Sequence, residues 1–175
     1  MRCGQRTASA LPLPVCEALE SGESAAFPKS GLSSKRNCLT PRKESDVTCP
    51  FCRPESNERQ RVVLENEHCL FLQEPQKVLI GSGLIVPREH RETVYDHSEE
   101  EWVATFDLLR RAKALLDAEF GPDGYSVGWN NGAVAGQEVF HVHLHVIPRY
   151  QDEPLAGKGI RHWIKQPVNK RRRAA

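Results

Sequence analysis

One segment limits the possible folds more than any other: HSEEEWVATFDLLRRAKALLDAEFG, residues 97–121. Ser98 followed by Glu101 forms a capping box, in which each side chain satisfies the other residue's backbone N–H at a helix start. Trp102, Phe106, Leu109, Leu116 and Phe120 then recur at helical spacing, and Gly121 with Pro122 ends the run. The pattern predicts one long helix with an apolar stripe through those residues. Such a stripe needs a second layer to cover it.

The second layer is legible on both sides of the helix. RVVLENE (61–67) and CLFLQ (69–73) read as a hairpin, and SGLIVPR (82–88) as a buried strand. After the helix, YSVGWNN (125–131) and the segment GQEVFHVHLHVIPRY (136–150) supply two more strands. Cys69 falls inside a strand and is expected in the packed core. The fold class is α+β: a small antiparallel sheet backed by one long helix.

Residues 1–45 lack a sustained helical or strand period, are rich in Ser, Pro and Ala, and read as a disordered extension. Glu17, Glu20, Glu23 and Glu44 count against an acid-poor transit peptide. Met1 is the sole methionine, so a later start would need a non-AUG codon. The folded domain is expected over 46–165, with a solvated basic tail over 166–175 that ends NKRRRAA. The formal net charge is only +1, so no global field draws the chain to nucleic acid or membranes. Apolar runs are too short to span a bilayer, and the N-terminus lacks a secretory h-region. Six irregularly spaced cysteines fit a reduced, cytoplasmic setting, with some of them on metal.

The chain has seven histidines, and His141, His143 and His145 occupy alternate positions of one predicted strand. Alternate strand residues share a face, so imidazoles line one side while Val142, Leu144 and Val146 line the other. Alternate residues are about 6.6 Å apart and the outer pair about 13 Å. Three metal–nitrogen bonds near 2.1 Å would strain a regular strand, so the spacing favours one histidine at a metal and its neighbours at a substrate. Cys49 and Cys52, in TCPFC, have the C-x-x-C spacing of a metal knuckle. With His90 and one histidine of the three they would complete a closed Cys₂His₂ tetrahedron, which is a structural site. A remaining imidazole is free to attack phosphorus as a nucleophile. NNGAVAGQ (130–137) precedes it, a Gly-rich loop that reads either as an anion-binding nest or as a plain hairpin turn. His68, His97 and His162 are expected at the surface.

HVHLHVI (141–147) resembles the signature of the histidine triad (HIT) family, H-φ-H-φ-H-φ-φ with φ apolar. GYSVGWNNG, AGQEVF and IPRY are similar to bacterial members on the hydrolase side. The likeness runs over about residues 48–150, with a weaker echo in GKGIRHWI. It implies a nucleotide-binding α+β domain that pairs into a homodimer by joining sheets. It also implies cleavage of a bond to a nucleotide α-phosphate, in dinucleoside polyphosphates, phosphoramidates or nucleotidylated small molecules.

The resemblance makes His143 the nucleophile, oriented by the backbone carbonyl of the preceding histidine. His145 would contact phosphate oxygens and assist the leaving group or water. His141, Cys49, Cys52 and His90 would hold a structural zinc, and magnesium would serve only to neutralise a polyphosphate substrate. Gln137 would bind the phosphate or leaving group, Asn130 and Gly136 would line the phosphate site, and Glu74 would bind ribose hydroxyls. Two departures stand out. Glu138 occupies a place where relatives carry Ser or Thr, and Ser82 a place where they carry a histidine supporting the triad. Both keep open a catalytically weak nucleotide-binding protein; a nucleotidyltransferase is the remaining enzyme alternative.

Overall fold

The computed structural model describes residues 49–171. The expected extension 1–45 and the end of the basic tail lie outside these residues. Five strands form one antiparallel sheet: β1 (Arg61–Glu65), β2 (Cys69–Gln73), β3 (Gly83–Pro87), β4 (Gly124–Trp129) and β5 (Leu144–Arg149), in the order β1-β2-β3-β5-β4. Helix α1 (Glu99–Phe120) joins β3 to β4, and a single turn, α2 (Arg161–Ile164), follows β5. Among the described residues no helix is long and apolar enough to cross a membrane.

The capping box forms as read: Ser98 Oγ accepts from the Glu101 backbone N–H and the Glu101 carboxylate accepts from that of Ser98. Gly121 ends the helix at φ +56°, a left-handed conformation that costs glycine little. The buried face of α1 differs from the expected stripe. Glu101, Ala104, Thr105, Leu108, Ala112 and Leu116 are buried, whereas Trp102 is 43% and Phe106 63% exposed. The small residues Ala104 and Ala112 let the helix lie close to the sheet. This rotates the large aromatics toward its flank, and only Leu109 and Phe120 of the other stripe members pack partly against the core.

The sheet has two covered faces. Cys69, Phe71, Ile85, Leu144 and Val146 pack under α1 with Leu108 and Leu116. The alternate residues Leu70, Leu72 and Val86 point the other way and pack with Cys49 and Phe51 of the knuckle. Cys69 is therefore core, as expected.

The histidine segment departs from a regular strand. β5 starts only at Leu144, so of the three histidines only His145 lies in the ladder. The pairing of β3 with β5 stops at Ile85 and Leu144, and two residues further along β3 Pro87 has no N–H with which to resume it. The Val142 N–H bonds instead to the carbonyl of Arg91, at 2.7 Å. His141 and His143 are thus released from strand geometry and can serve different centres.

Candidate active site and metal centre

The knuckle, the end of β3 and the run into β5 converge. The donor atoms of Cys49, Cys52, His90 and His141 lie within 4.8 Å of one another. Cys49 Sγ and Cys52 Sγ each stand 3.4 Å from His141 Nδ1, and Cys52 Sγ stands 3.2 Å from His90 Nδ1. A tetrahedral zinc with bonds near 2.3 Å to sulfur and 2.0–2.1 Å to nitrogen sets such edges at about 3.5 Å. The donor set therefore fits zinc in number, type and spacing. The fully buried His141 ring adds a second argument. Its Nε2 lies 3.0 Å from the Pro87 carbonyl, which can only accept. The proton belongs on Nε2, leaving Nδ1 as the metal-facing lone pair, the usual outer support of a metal histidine.

The next histidine is oriented by the same logic. His143 Nδ1 lies 2.8 Å from the backbone carbonyl of His141, so Nδ1–H donates and Nε2 is the nitrogen left to carry a lone pair. His143 is 7% exposed, and its ring meets those of Phe51 and His145 edge-on, with centroids 5.2 and 4.9 Å away. His145 pairs in register with Leu84 on one side and Gly128 on the other. Its Nε2 is buried without a hydrogen-bond partner among the described residues. Burial, reinforced by His143 nearby, holds its pKa below the ordinary histidine value. A Cβ on Gly128 would come within 3.2 Å of Ile160, so the chain after β5 also closes over this side.

The loop before the triad turns through Gly132 and Gly136, at φ +82° and +89°. Asn130 Nδ2 donates to the Gly136 carbonyl at 3.3 Å. The structure gives Gln137 a different setting from an open phosphate contact. It is 3% exposed; its Oε1 accepts from the Gly132 N–H, and its Nε2 donates to the carbonyls of Glu92 and Val139. Both ends of the amide are engaged in shaping the loop. Glu138 is exposed at the loop edge. Glu74 forms an ion pair with Arg59 at 3.2 Å. Ser82 sits in the turn before β3, its N–H donating to the Leu79 carbonyl.

Phe51 escaped the sequence reading. It touches His141 and His143 alike, and its signal was an aromatic residue between two thiol ligands. His97, expected at the surface, is half-buried against Trp102, with ring centroids 5.4 Å apart. His68 and His162 are likewise only partly exposed.

Comparison with known proteins agrees with this geometry. Residues 55–152 match the model of the HIT domain. The chain is 36% identical over 103 residues to the protein hit of Bacillus subtilis, covering 58% of this chain and 71% of that protein. It is 33% identical over 89 residues to adenosine 5'-monophosphoramidase hnt1 of Schizosaccharomyces pombe, covering 51% of this chain and 62% of that one. Among solved structures, a HIT family protein from Bacillus anthracis superposes with a TM-score of 0.55 at 34% identity, covering 60% of this chain and 75% of that one. A zinc-bound histidine triad family protein from Mycobacterium smegmatis gives 0.56 at 25% identity, covering 64% and 82%. With its triad pattern, its sheet and most of the folded chain in agreement, this protein belongs to the HIT domain family.

Proposed function

We propose that the chain is a nucleotide hydrolase that cleaves the bond between an α-phosphate and its leaving group through a nucleotidyl-histidine on His143. The observation that carries this reading is the 2.8 Å bond from His143 Nδ1 to the His141 carbonyl. It leaves Nε2 as the attacking nitrogen and hinders the ring from adopting the other tautomer. Nε2 attacks phosphorus, the P–N or P–O bond to the leaving group breaks, and that group departs with a proton. Water then cleaves the P–N bond to His143, releasing nucleoside monophosphate and restoring the imidazole. His145, whose pKa is lowered by burial, is the group to pass a proton at its Nε2. The name of the fission yeast relative favours a nucleoside phosphoramidate.

Asn130, Gly136 and the backbone of Glu138 would cradle the phosphate, with Gln137 holding that loop in shape and Glu74 at most a peripheral ribose contact. Zinc on Cys49, Cys52, His90 and His141, when bound, supplies a closed cross-link with no open position for substrate. Magnesium would enter only with a polyphosphate. Thiolate ligands suit a reducing compartment such as the cytoplasm. A second copy would pair along the edge strand β4, whose exposed Val127 lies in the same strand as Trp129, the ring partner of the exposed Trp102.

The test is nucleoside monophosphate release from a panel of adenylyl and guanylyl phosphoramidates, polyphosphates and small-molecule conjugates. A folded His143→Ala variant should lose turnover by about 10⁴-fold or more. The exposed carboxylate of Glu138 beside the loop favours one second reading, a protein that binds nucleotide without turnover. Undiminished affinity with no product from wild type would select it.

A further inference from the structure

We propose that Arg91, clamped by the buried carboxylate of Glu101, is a positioning residue that sets the angle of the nucleophile His143; the inference rests on the hydrolase reading above. His141 to His143 lie outside the β5 ladder, so the usual means of fixing a strand does not act on them. The backbone N–H of Val142, between the two histidines, donates to the Arg91 carbonyl at 2.7 Å. Arg91 is in turn fixed by its side chain. Its Nε donates to both carboxylate oxygens of Glu101, at 3.2 and 3.1 Å. Glu101 is 3% exposed, and its Oε2 also accepts from the Ser98 N–H at 2.8 Å. The carboxylate is therefore anchored in the first turn of α1.

A continuous path of short contacts results, running from the helix start through Glu101, Arg91 and Val142 to the carbonyl and ring on either side of Val142. The adjoining residues extend the reach of this segment. The Glu92 carbonyl accepts from Gln137 Nε2 at 2.7 Å, and the Val94 N–H donates to Asn131 Oδ1 at 3.0 Å. His90, one residue earlier, belongs to the metal set. A shift of Arg91 would thus be felt at the nucleophile and at the loop before it. Removing the guanidinium leaves a buried carboxylate without its cationic partner, a situation that forces local rearrangement. An ångström of misplacement at an attacking atom is worth about 100-fold in rate.

The experiment compares zinc-loaded wild type with Arg91→Met, Arg91→Lys and Arg111→Met on a nucleoside phosphoramidate. Zinc content, thermal stability and the ¹⁵N signals of the His143 ring are recorded for each. Expected is a kcat about 100-fold lower in Arg91→Met with KM within about threefold, partial recovery in Arg91→Lys, and full zinc. The His143 ring should lose its single Nδ1–H tautomer in Arg91→Met. Arg111, paired with Asp107 on the exposed side of α1, is the control and should behave as wild type. Wild-type kcat and an intact tautomer in Arg91→Met would overturn the proposal, as would a rate loss that merely tracks lost zinc. If wild type releases no product at all, the hydrolase reading fails, while the His143 tautomer in the variant still decides the role of Arg91.

Discussion

The two faces of the sheet are made from alternate residues of the same strands, yet they are closed by different means. Under α1 the contacts are side chain on side chain: Phe71, Ile85 and Leu144 against Leu108, Ala112 and Leu116. On the other face Leu70, Leu72 and Val86 meet a loop whose place is fixed by donor atoms and backbone carbonyls. The first face rests on non-directional burial, which tolerates small displacements. The second rests on directional contacts, which lose most of their strength when a ring turns. One face supplies bulk burial and the other fixes the orientation of imidazole rings.

The comparison can be broken at its strongest point first. Leu108→Ala empties the middle of the helix-covered face, where the side chain is fully buried. It should lower unfolding free energy by about 2–5 kcal/mol, measured by urea titration, while kcat of the folded fraction stays near wild type. A parallel loss of kcat would show that the faces are not separable. Metal removal probes the other face. Chelation, or Cys52→Ser, should lower stability by about 3 kcal/mol relative to protein held at a hundredfold excess of zinc over its Kd. Circular dichroism should show α1 retained; its loss would mean that the ion holds the whole domain.

The smallest effect is in pH. Burial lowers the pKa of His145 on one face and of His97 beside the helix start. With a depressed histidine pKa, the unfolded chain binds more protons than the folded one in the window below the ordinary value near 6.5. Stability is therefore fully present above that value and falls as the solution is acidified through the window, levelling off below the folded pKa. His145→Gln should flatten part of this slope. A slope unchanged in that variant would assign the whole dependence to other groups.

Much of this was readable from residues alone, where the determinants are local. Ser98, Glu101 and Gly121 define a helix by contacts within a few positions, and the C-x-x-C spacing needs only a tight turn. The gathering of Cys49, Cys52, His90 and His141 into a group that could hold a metal was legible from the C-x-x-C spacing together with the triad pattern. What was not legible depends on distant partners. Trp102 and Phe106 look like core until the close approach allowed by Ala104 and Ala112 turns them outward. The alternation of His141, His143 and His145 suggests a continuous strand until the ladder stops at Leu144 and Arg91 takes over. Gln137 reads as a substrate ligand until Gly132 and Glu92 occupy both ends of its amide. Glu101 was visible as a cap, but its second partner lies on another segment.

His141 carries a last consequence. One ring nitrogen faces the cysteine thiols, the other meets Pro87, and its carbonyl accepts a hydrogen bond from the His143 ring. A single residue thus belongs at once to the scaffold and to the proposed reaction. Mutational drift at this position has no intermediate stop: a substitution that spares the carbonyl but not the ring still disturbs both. A designer wishing to remove the Cys₂His₂ group would have to rebuild the support of the His143 ring first, and only afterwards replace the cysteines.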